Sequence, residues 1–255
     1  MNLLPRVLIG TASFGSRYGL ANSEVMDSAE VSRVIRTAED CQLSGFDTAQ
    51  DYPGSELMLR DAKTGSIFTK ITKDLIRAST EEVLSTARTS LVNLNRDFVE
   101  GISFHSSEQL LANPMVAVRA MNELRTHNFT RSWGVSVYDV EEMHRILDVC
   151  RPDFIQAPVS VADQSFLAPE VTERLQSMEV DLHARSIFLQ GALLMKPYLL
   201  PKHLSVLRGT IDKIEASASE LSLGIREFLI GFVGGQRTVS RIVVGVNSHN
   251  QLEEF

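Results

Sequence analysis

A chain of 255 residues with 44% hydrophobic and 22% charged content is long enough for one large core and ordinary for a globular fold. A net charge of −7, with no basic run and no interleaving of aromatic and basic residues, gives no reason to expect a nucleic-acid partner. No apolar run reaches the length of a membrane span, and Met1-Asn2-Leu3-Leu4-Pro5-Arg6 lacks the layout of a signal peptide, so the cytoplasm is the expected compartment and a monomer the default state.

In chain order, Val7-Leu8-Ile9-Gly10 is a short buried strand that runs into the small-residue loop Thr11-Ala12-Ser13-Phe14-Gly15. Gly10 and Gly15 either let backbone approach a ligand or simply make a turn. Ser28 can cap a helix with Val31, Val34, Ile35 and Ala38 on one face. The second strand ends at Phe46-Asp47, a short helix is expected over 55–60, and the third strand covers 66–69. Ser79 and Glu82 have the spacing of a capping box ahead of the stripe Val83, Leu84, Ala87 and Leu91. The fourth strand covers 98–104, and Pro114 opens a helix to about residue 127. After a fifth strand over 133–136, Asp139 and Glu142 cap a helix whose core face is Met143, Ile146, Leu147 and Cys150. The sixth strand covers 154–156, a helix 169–178, and the seventh strand 180–184. A helical region over 203–233 splits near Leu223-Gly224, the eighth strand is 241–245, and Ser248 with Gln251 suggests a capping box on a last helix.

Eight strands alternating with helices predict a parallel sheet, and eight such units predict a closed (β/α)₈ TIM barrel of the α/β class, one domain over 1–255. The chain stops at Phe255, inside the last predicted helix, and is read as open to truncation there. Cys41 and Cys150 lie on apolar helix faces and read as buried thiols. The mouth loops are expected to be short.

Four proton-handling side chains fall at or just past successive strand ends, where a parallel barrel carries its chemistry. Asp47 follows Gly45-Phe46, Tyr52 comes five residues later, Lys70 ends Ile67-Phe68-Thr69-Lys70, and His105 follows Gly101-Ile102-Ser103-Phe104. Singly each has an ordinary reading: a turn Asp, a packed Tyr, a solvated Lys, a core His. Jointly they suit carbonyl reduction, which needs a hydride from nicotinamide and a proton from an acid near the carbonyl oxygen. Tyrosine, which ordinarily titrates at about pH 10, is a weak acid that a nearby ammonium strengthens. Lys70 can act on Tyr52 in this way, Asp47 can hold Lys70 charged, and His105 can donate a hydrogen bond to the carbonyl oxygen. Asp51 lies outside the strand end and reads as structural or solvated. The six histidines are scattered without paired ligand spacing, so no metal is expected. No P-loop is present and no Gly-x-Gly-x-x-Gly follows a strand, which leaves barrel-type rather than Rossmann-type dinucleotide binding.

Over nearly the whole chain these blocks resemble the aldo-keto reductase family: Gly45-Phe46-Asp47-Thr48-Ala49-x-x-Tyr52, Thr69-Lys70, Ile102-Ser103-Phe104-His105, Gly134-Val135-Ser136, Gln156, the segment 186–194, and Gly245 with Gln251-Leu252-Glu253-Glu254. The resemblance implies reversible, NAD(P)H-dependent reduction of an aldehyde or ketone. It also implies a C-terminal loop beyond Phe255 that shapes the substrate pocket. It places Ser136 and Gln156 on the nicotinamide carboxamide, and puts Arg185, with Phe188 close by, where the family stacks an aromatic ring. Gln190 and Gly191 then pass near the pyrophosphate. Two positions depart from the family: Val137 stands where it often has Asn, and Gln251 where it often has Arg. With no Lys or Arg from Val244 to Gln251, Asn247, Ser248 and the free N–H groups of the last helix are left to meet a 2′-phosphate. The expected cofactor is NADP(H), with only modest preference over NAD(H). A stronger preference would point to Arg185, Lys202 or Arg208. Phe14, Tyr18 and Phe188 are the main aromatic candidates at the mouth, which suits a small or polar carbonyl such as a sugar. Two alternatives stand beside reduction: a Schiff-base lyase using Lys70, and a nicotinamide-binding regulatory protein without turnover.

Overall fold

The computed structural model describes residues 3–20, 25–63 and 65–253. The expectations placed on Met1, Asn2, Glu254 and Phe255 lie outside the described residues. The eight strands are β1 (Val7–Gly10), β2 (Gly45–Asp47), β3 (Ser66–Ile71), β4 (Val99–Phe104), β5 (Thr130–Ser136), β6 (Phe154–Pro158), β7 (Asp181–Arg185) and β8 (Val239–Gly245). They are parallel and close in sequence order, with β1 paired to β8. This is the (β/α)₈ TIM barrel that the alternation of elements predicts.

Outside the barrel lie α1 (Ser28–Asp40), α2 (Ser55–Met58), α3 (Thr80–Leu94), α4 (Ser107–Leu111), α5 (Pro114–Thr126), α6 (Val140–Val149), α7 (Pro169–Ser177), α8 (Arg208–Glu220), α9 (Ile225–Gly234) and α10 (His249–Glu253). Their apolar stripes bury against the strands: α1 contributes Val31, Val34, Ile35 and Ala38, and α3 contributes Val83, Ala87 and Leu91. The Ser79/Glu82 capping box is formed in full.

Several local expectations are corrected. Asp27, not Ser28, caps α1, because its carboxylate accepts from the Glu30 N–H and Ser28 is already helical. At α10, Ser248 accepts from the Gln251 N–H, but the Gln251 side chain accepts from the Asn247 N–H, so the reciprocal half of the box is missing. Cys41 and Cys150 stand at the C-caps of their helices: Cys41 is exposed and so no buried thiol, whereas Cys150 is half-buried and packs against the core. Two mouth connections are long. The one after β1 reaches Asp27, and the one after β7 runs over 186–207 through short 3₁₀ turns.

The barrel interior explains the position of the chemistry. Phe68 on β3 and Phe154 on β6 meet edge to face at 5.7 Å, and Leu8 and Val243 join them, so these four pack across the barrel axis. His183 on β7 stacks on Phe154 at 4.3 Å. Room for the two rings comes from Gly101 and Gly134, where a Cβ would stand 2.3 Å and 2.5 Å from them. Strand side chains alternate between faces, so the residue two positions on points inward one layer higher. That layer is Gly10, Lys70, Ser103, Ser136, Gln156, Arg185 and Gly245, with Asp47 two residues past Gly45. An apolar plug thus underlies a polar layer on the same strands.

Candidate active site

The polar layer forms the floor of a cleft of about 760 Å³. All of the expected catalytic residues, Asp47, Tyr52, Lys70 and His105, line it. So do Ser136, Gln156, Arg185, Phe188, Gln190, Gly191, Gly245, Asn247 and Gln251. Ser248 does not, because its hydroxyl is turned to the α10 backbone. Lys202 and Arg208 also lie outside the lining, and Phe14 is fully buried beneath the mouth.

Lys70 is buried at 2% exposure. Its Nζ donates to Asp47 Oδ1 at 2.5 Å and to the Thr48 carbonyl at 2.9 Å. Asp47 Oδ2 accepts from Gln156 Nε2 at 2.7 Å. Burial pushes the Lys70 pKa down, and Asp47 opposes that shift. The Tyr52 ring centroid lies 5.5 Å from Lys70 Nζ and 5.7 Å from the His105 ring. No described residue hydrogen-bonds the Tyr52 hydroxyl. Burial, then the Asp47 charge and Tyr18, raise the Tyr52 pKa, with Arg185 opposing. The net shift is therefore the reverse of the lowering expected from Lys70, whose charge is spent on Asp47.

His105 departs furthest from expectation. Its Nδ1 lies 2.8 Å from Asp51 Oδ2. That oxygen also accepts from the Lys73 N–H at 3.0 Å. Burial opposes ionisation of Asp51, but hydrogen bonds from Thr72 and Lys73 and the facing His105 outweigh it and hold the carboxyl below its usual range. Burial, then the Lys70 and Lys73 charges, push His105 down to about 4 against the pull of Asp51. At 2.8 Å from a carboxylate, Nδ1 is the ring nitrogen that donates. Nε2 is the ring nitrogen that Asp51 leaves unengaged. Asp51 stands in an exposed turn, as a structural or solvated residue would, and its carboxylate also holds the Lys73 N–H and the His105 ring. Nothing in its sequence position shows a partner fifty-four residues away.

α4, which the sequence does not announce, fixes His105 from below. Gln109 Oε1 accepts from the His105 N–H at 2.9 Å, and its amide donates to the Thr72 carbonyl at 2.7 Å. Arg185 is held by the Val137 carbonyl at 2.8 Å and lies over the Tyr138 ring at 4.6 Å. The Val137 side chain is buried, so its contribution here is that carbonyl. Tyr138, Lys73 and Arg226 of α9 are further lining residues that sequence reasoning missed. The reason is that helix and loop residues show no periodic signal of facing a cleft.

Gly10 and Gly15 part ways. Gly10 lines the cleft, whereas a Cβ on Gly15 would collide with the Pro53 carbonyl, so Gly15 serves loop packing. Leu189, Gln190 and Gly191 have consecutive positive φ, a turn that costs about 1 kcal/mol or more per non-glycine residue. The Gln190 carbonyl accepts from the Leu20 N–H at 2.9 Å, tying the β1 and β7 loops together.

The family model for the aldo/keto reductase family matches residues 6–255. The chain belongs to the aldo/keto reductase family. Membership makes it a carbonyl oxidoreductase of the class that uses a nicotinamide cofactor and a small-molecule substrate. Among solved structures it is similar to a glycerol dehydrogenase from Gluconobacter oxydans, at 18% identity and a TM-score of 0.76, covering 98% of this chain and 84% of that one. It is similar to the holo form of an aldo-keto reductase from Bacillus halodurans, at 17% identity and a TM-score of 0.76, over 97% of this chain and 84% of the other. An aldo-keto reductase from a deep-sea metagenome library of the Medee basin gives 17% identity and a TM-score of 0.72, over 98% and 84%. No curated protein matches the chain. No described helix is long and apolar enough to cross a membrane.

The aldo/keto reductase cleft has room for the family's cofactor. A Cβ on Gly191 or Gly245 would meet no atom within 4 Å, so both glycines leave space along the wall. The buried Ser136 hydroxyl and the Gln156 amide oxygen remain to meet a carboxamide, while the Gln156 amide nitrogen is engaged by Asp47.

Proposed function

We propose that this chain reduces a small, polar aldehyde or ketone to an alcohol with NADPH, with Tyr52 as the proton donor. One observation carries the reading: a fully buried Lys70–Asp47 pair beside a tyrosine whose hydroxyl has no partner among the described residues. The cofactor supplies the hydride. Ser136, Gln156, Phe188, Gln190, Gly191, Gly245, Asn247 and Gln251 would hold it. The raised pKa keeps Tyr52 protonated at neutral pH. A proton on Oη is what an oxygen gaining negative charge requires, and transfer to an alkoxide is favourable even from a weak acid. Lys70 offsets the Asp47 charge, which would otherwise push the Tyr52 pKa higher still. Arg185 adds positive charge facing the same phenol.

The polar lining supports a small polar substrate such as a sugar, and strong preference for bulky steroid-like ketones would contradict it. The NADP(H) reading rests on the basic side chains of the lining: no acidic residue lies within Val244 to Gln251, but the Glu30 carboxylate of α1 accepts from the His249 N–H at 2.7 Å, so that N–H of the last helix is not free for a 2′-phosphate. Arg226 of α9 is a further basic lining residue outside that stretch, and joins Arg185 as a candidate for a 2′-phosphate, ahead of Lys202 and Arg208, which lie outside the lining.

A Schiff-base lyase has one observation in its favour, the lowered Lys70 pKa. The short contact to Asp47 opposes it, since attack needs a free lone pair. A panel of carbonyl compounds followed by NADPH absorbance, with borohydride trapping alongside, separates the readings. Substrate-dependent NADPH oxidation without trapped lysine is expected. Trapping at Lys70 without oxidation would overturn the proposal, and cofactor binding without turnover would favour a regulatory protein.

A further inference from the structure

We propose that Glu56 is a positioning residue: it bolts the turn that carries Tyr52 to the strand that carries Lys70, and so sets the phenol beside the ammonium. The inference rests on the reduction reading and deepens it by naming what places the proton donor.

Glu56 of α2 is 4% exposed, and no described Lys, Arg or His pairs with it. A buried carboxylate without a cation is costly unless donors fill its oxygens. Here both are filled. Oε1 accepts from the Thr69 hydroxyl at 2.7 Å and Oε2 from the Asn93 amide of α3 at 3.1 Å. Thr69 stands on β3 directly before Lys70. Alternation along the strand sends its side chain out of the barrel while Lys70 points in. Glu56 therefore grips the back of the strand whose front holds the ammonium. α2 has only four residues, too few to hold by its own backbone bonds, so its side chains must fasten it. Ser55 does so as well, donating to the Thr11 carbonyl at 2.9 Å.

Tyr52 stands in the turn before α2, its carbonyl accepting from the Ser55 N–H at 3.0 Å. Its hydroxyl has no partner among the described residues, so the chain on either side must place the ring. Upstream, Gln50 Oε1 accepts from the Thr72 N–H at 2.9 Å, and its amide donates to the Thr86 carbonyl and the Ser90 hydroxyl at 2.8 Å each. Downstream, Glu56 does the same work. Both anchors reach β3 or the chain leaving it, so the turn keeps register with Lys70. Between Tyr52 and Glu56 lies Gly54, at φ +71° with open space where a Cβ would stand. It is a ready hinge once α2 is released. A shift of about 1 Å in a reacting group can cost about 10² in rate.

The test reads position and rate separately. The four tyrosines are replaced by 3-fluorotyrosine, and the Tyr52 fluorine resonance is assigned through Tyr52→Phe. Thr69→Val keeps the shape of the side chain and removes the bond. Glu56→Leu removes it without stranding a buried charge, which guards against a folding defect in the first variant. Both should move or broaden the Tyr52 resonance while those of Tyr138 and Tyr198 stay in place. Both should lower kcat by about ten- to a hundredfold, with the KM for NADPH unchanged, on the fastest compound of a carbonyl panel that includes hydroxyacetone. Thr69→Ser keeps the hydroxyl and should match the wild type in spectrum and rate. An unmoved Tyr52 resonance or an unchanged kcat in both Thr69→Val and Glu56→Leu would overturn the proposal, as would an equal shift in Thr69→Ser. The expected shifts in a protein that turns over no compound of the panel would support the positioning and refute the reduction reading alone.

Discussion

Two histidines of one barrel, one in its interior and one just past a strand end, are set by different neighbours. His183 belongs to the apolar plug, stacked on Phe154 and edge-on to Phe68, and its Nδ1 has no hydrogen-bond partner among the described residues. Burial, then Arg241 and Lys70, push it down to about 3. His105 at the mouth is also pushed down, to about 4, but there its Nδ1 lies 2.8 Å from the Asp51 carboxylate, which gives the ring a direction. Burial alone is a packing outcome, whereas a charged partner aims a ring at one side. The same contrast separates the layers: Phe68 and Phe154 fill space, and Lys70 and Gln156, two residues on, hold charge.

The largest expected effect lies at the mouth, above the polar layer. Tyr52→Phe should lower kcat by about 10² to 10⁴ while cofactor affinity and Tm stay near wild type. A variant with near-normal turnover would remove Tyr52 from the chemistry. In the lower layer, Phe154→Ala should cost about 3 to 5 kcal/mol of stability, because a ring leaves a cavity that Gly134 cannot fill. Equilibrium denaturation reads this directly, and a loss under about 1 kcal/mol would mean the plug is not a packed layer.

Acid should act on both histidines next. A base whose folded pKa is depressed keeps its contribution above the unfolded pKa, near 6.5. The stability is lost as pH falls below that, because only the unfolded chain binds the proton. By pH 5 each histidine contributes a loss of at most about 2 kcal/mol. His183→Asn should flatten the dependence of Tm on pH between 7 and 5. An unchanged slope would mean that His183 is not held neutral.

The smallest effect concerns cofactor choice. Arg226→Gln should lower the NADPH over NADH ratio of kcat/KM by about ten- to a hundredfold, one charged hydrogen bond. In the wild type that ratio should stay below about 10⁴, two such bonds. A variant that leaves the ratio unchanged would exclude Arg226 from the phosphate site.

The fold was legible because strand and helix periods differ, and the stripe Val31, Val34, Ile35, Ala38 or the run Val7-Leu8-Ile9 states its period plainly. Four site residues were legible from their positions at strand ends. Their partners were not. Asp51 and His105 are joined only through the closure of β2, β3 and β4 into neighbours. His183 stands in a strand whose pattern is apolar, and no local signal says that its neighbours across the axis are phenylalanines. Periodicity tells which face a residue takes and is silent on what it meets there. For the same reason Cys41, on an apparently apolar face, ended exposed at a helix terminus.

The central claim is that hydride and proton both reach a carbonyl in this cleft, the proton from Tyr52. The direct measurement is transfer of deuterium from NADPH labelled at the nicotinamide C4 to hydroxyacetone, in wild type and in Tyr52→Phe. The account predicts deuterium on the new carbinol carbon, with the rate lost in the variant while labelled cofactor still binds. Absence of deuterium from the product, or equal rates in the two proteins, would contradict it.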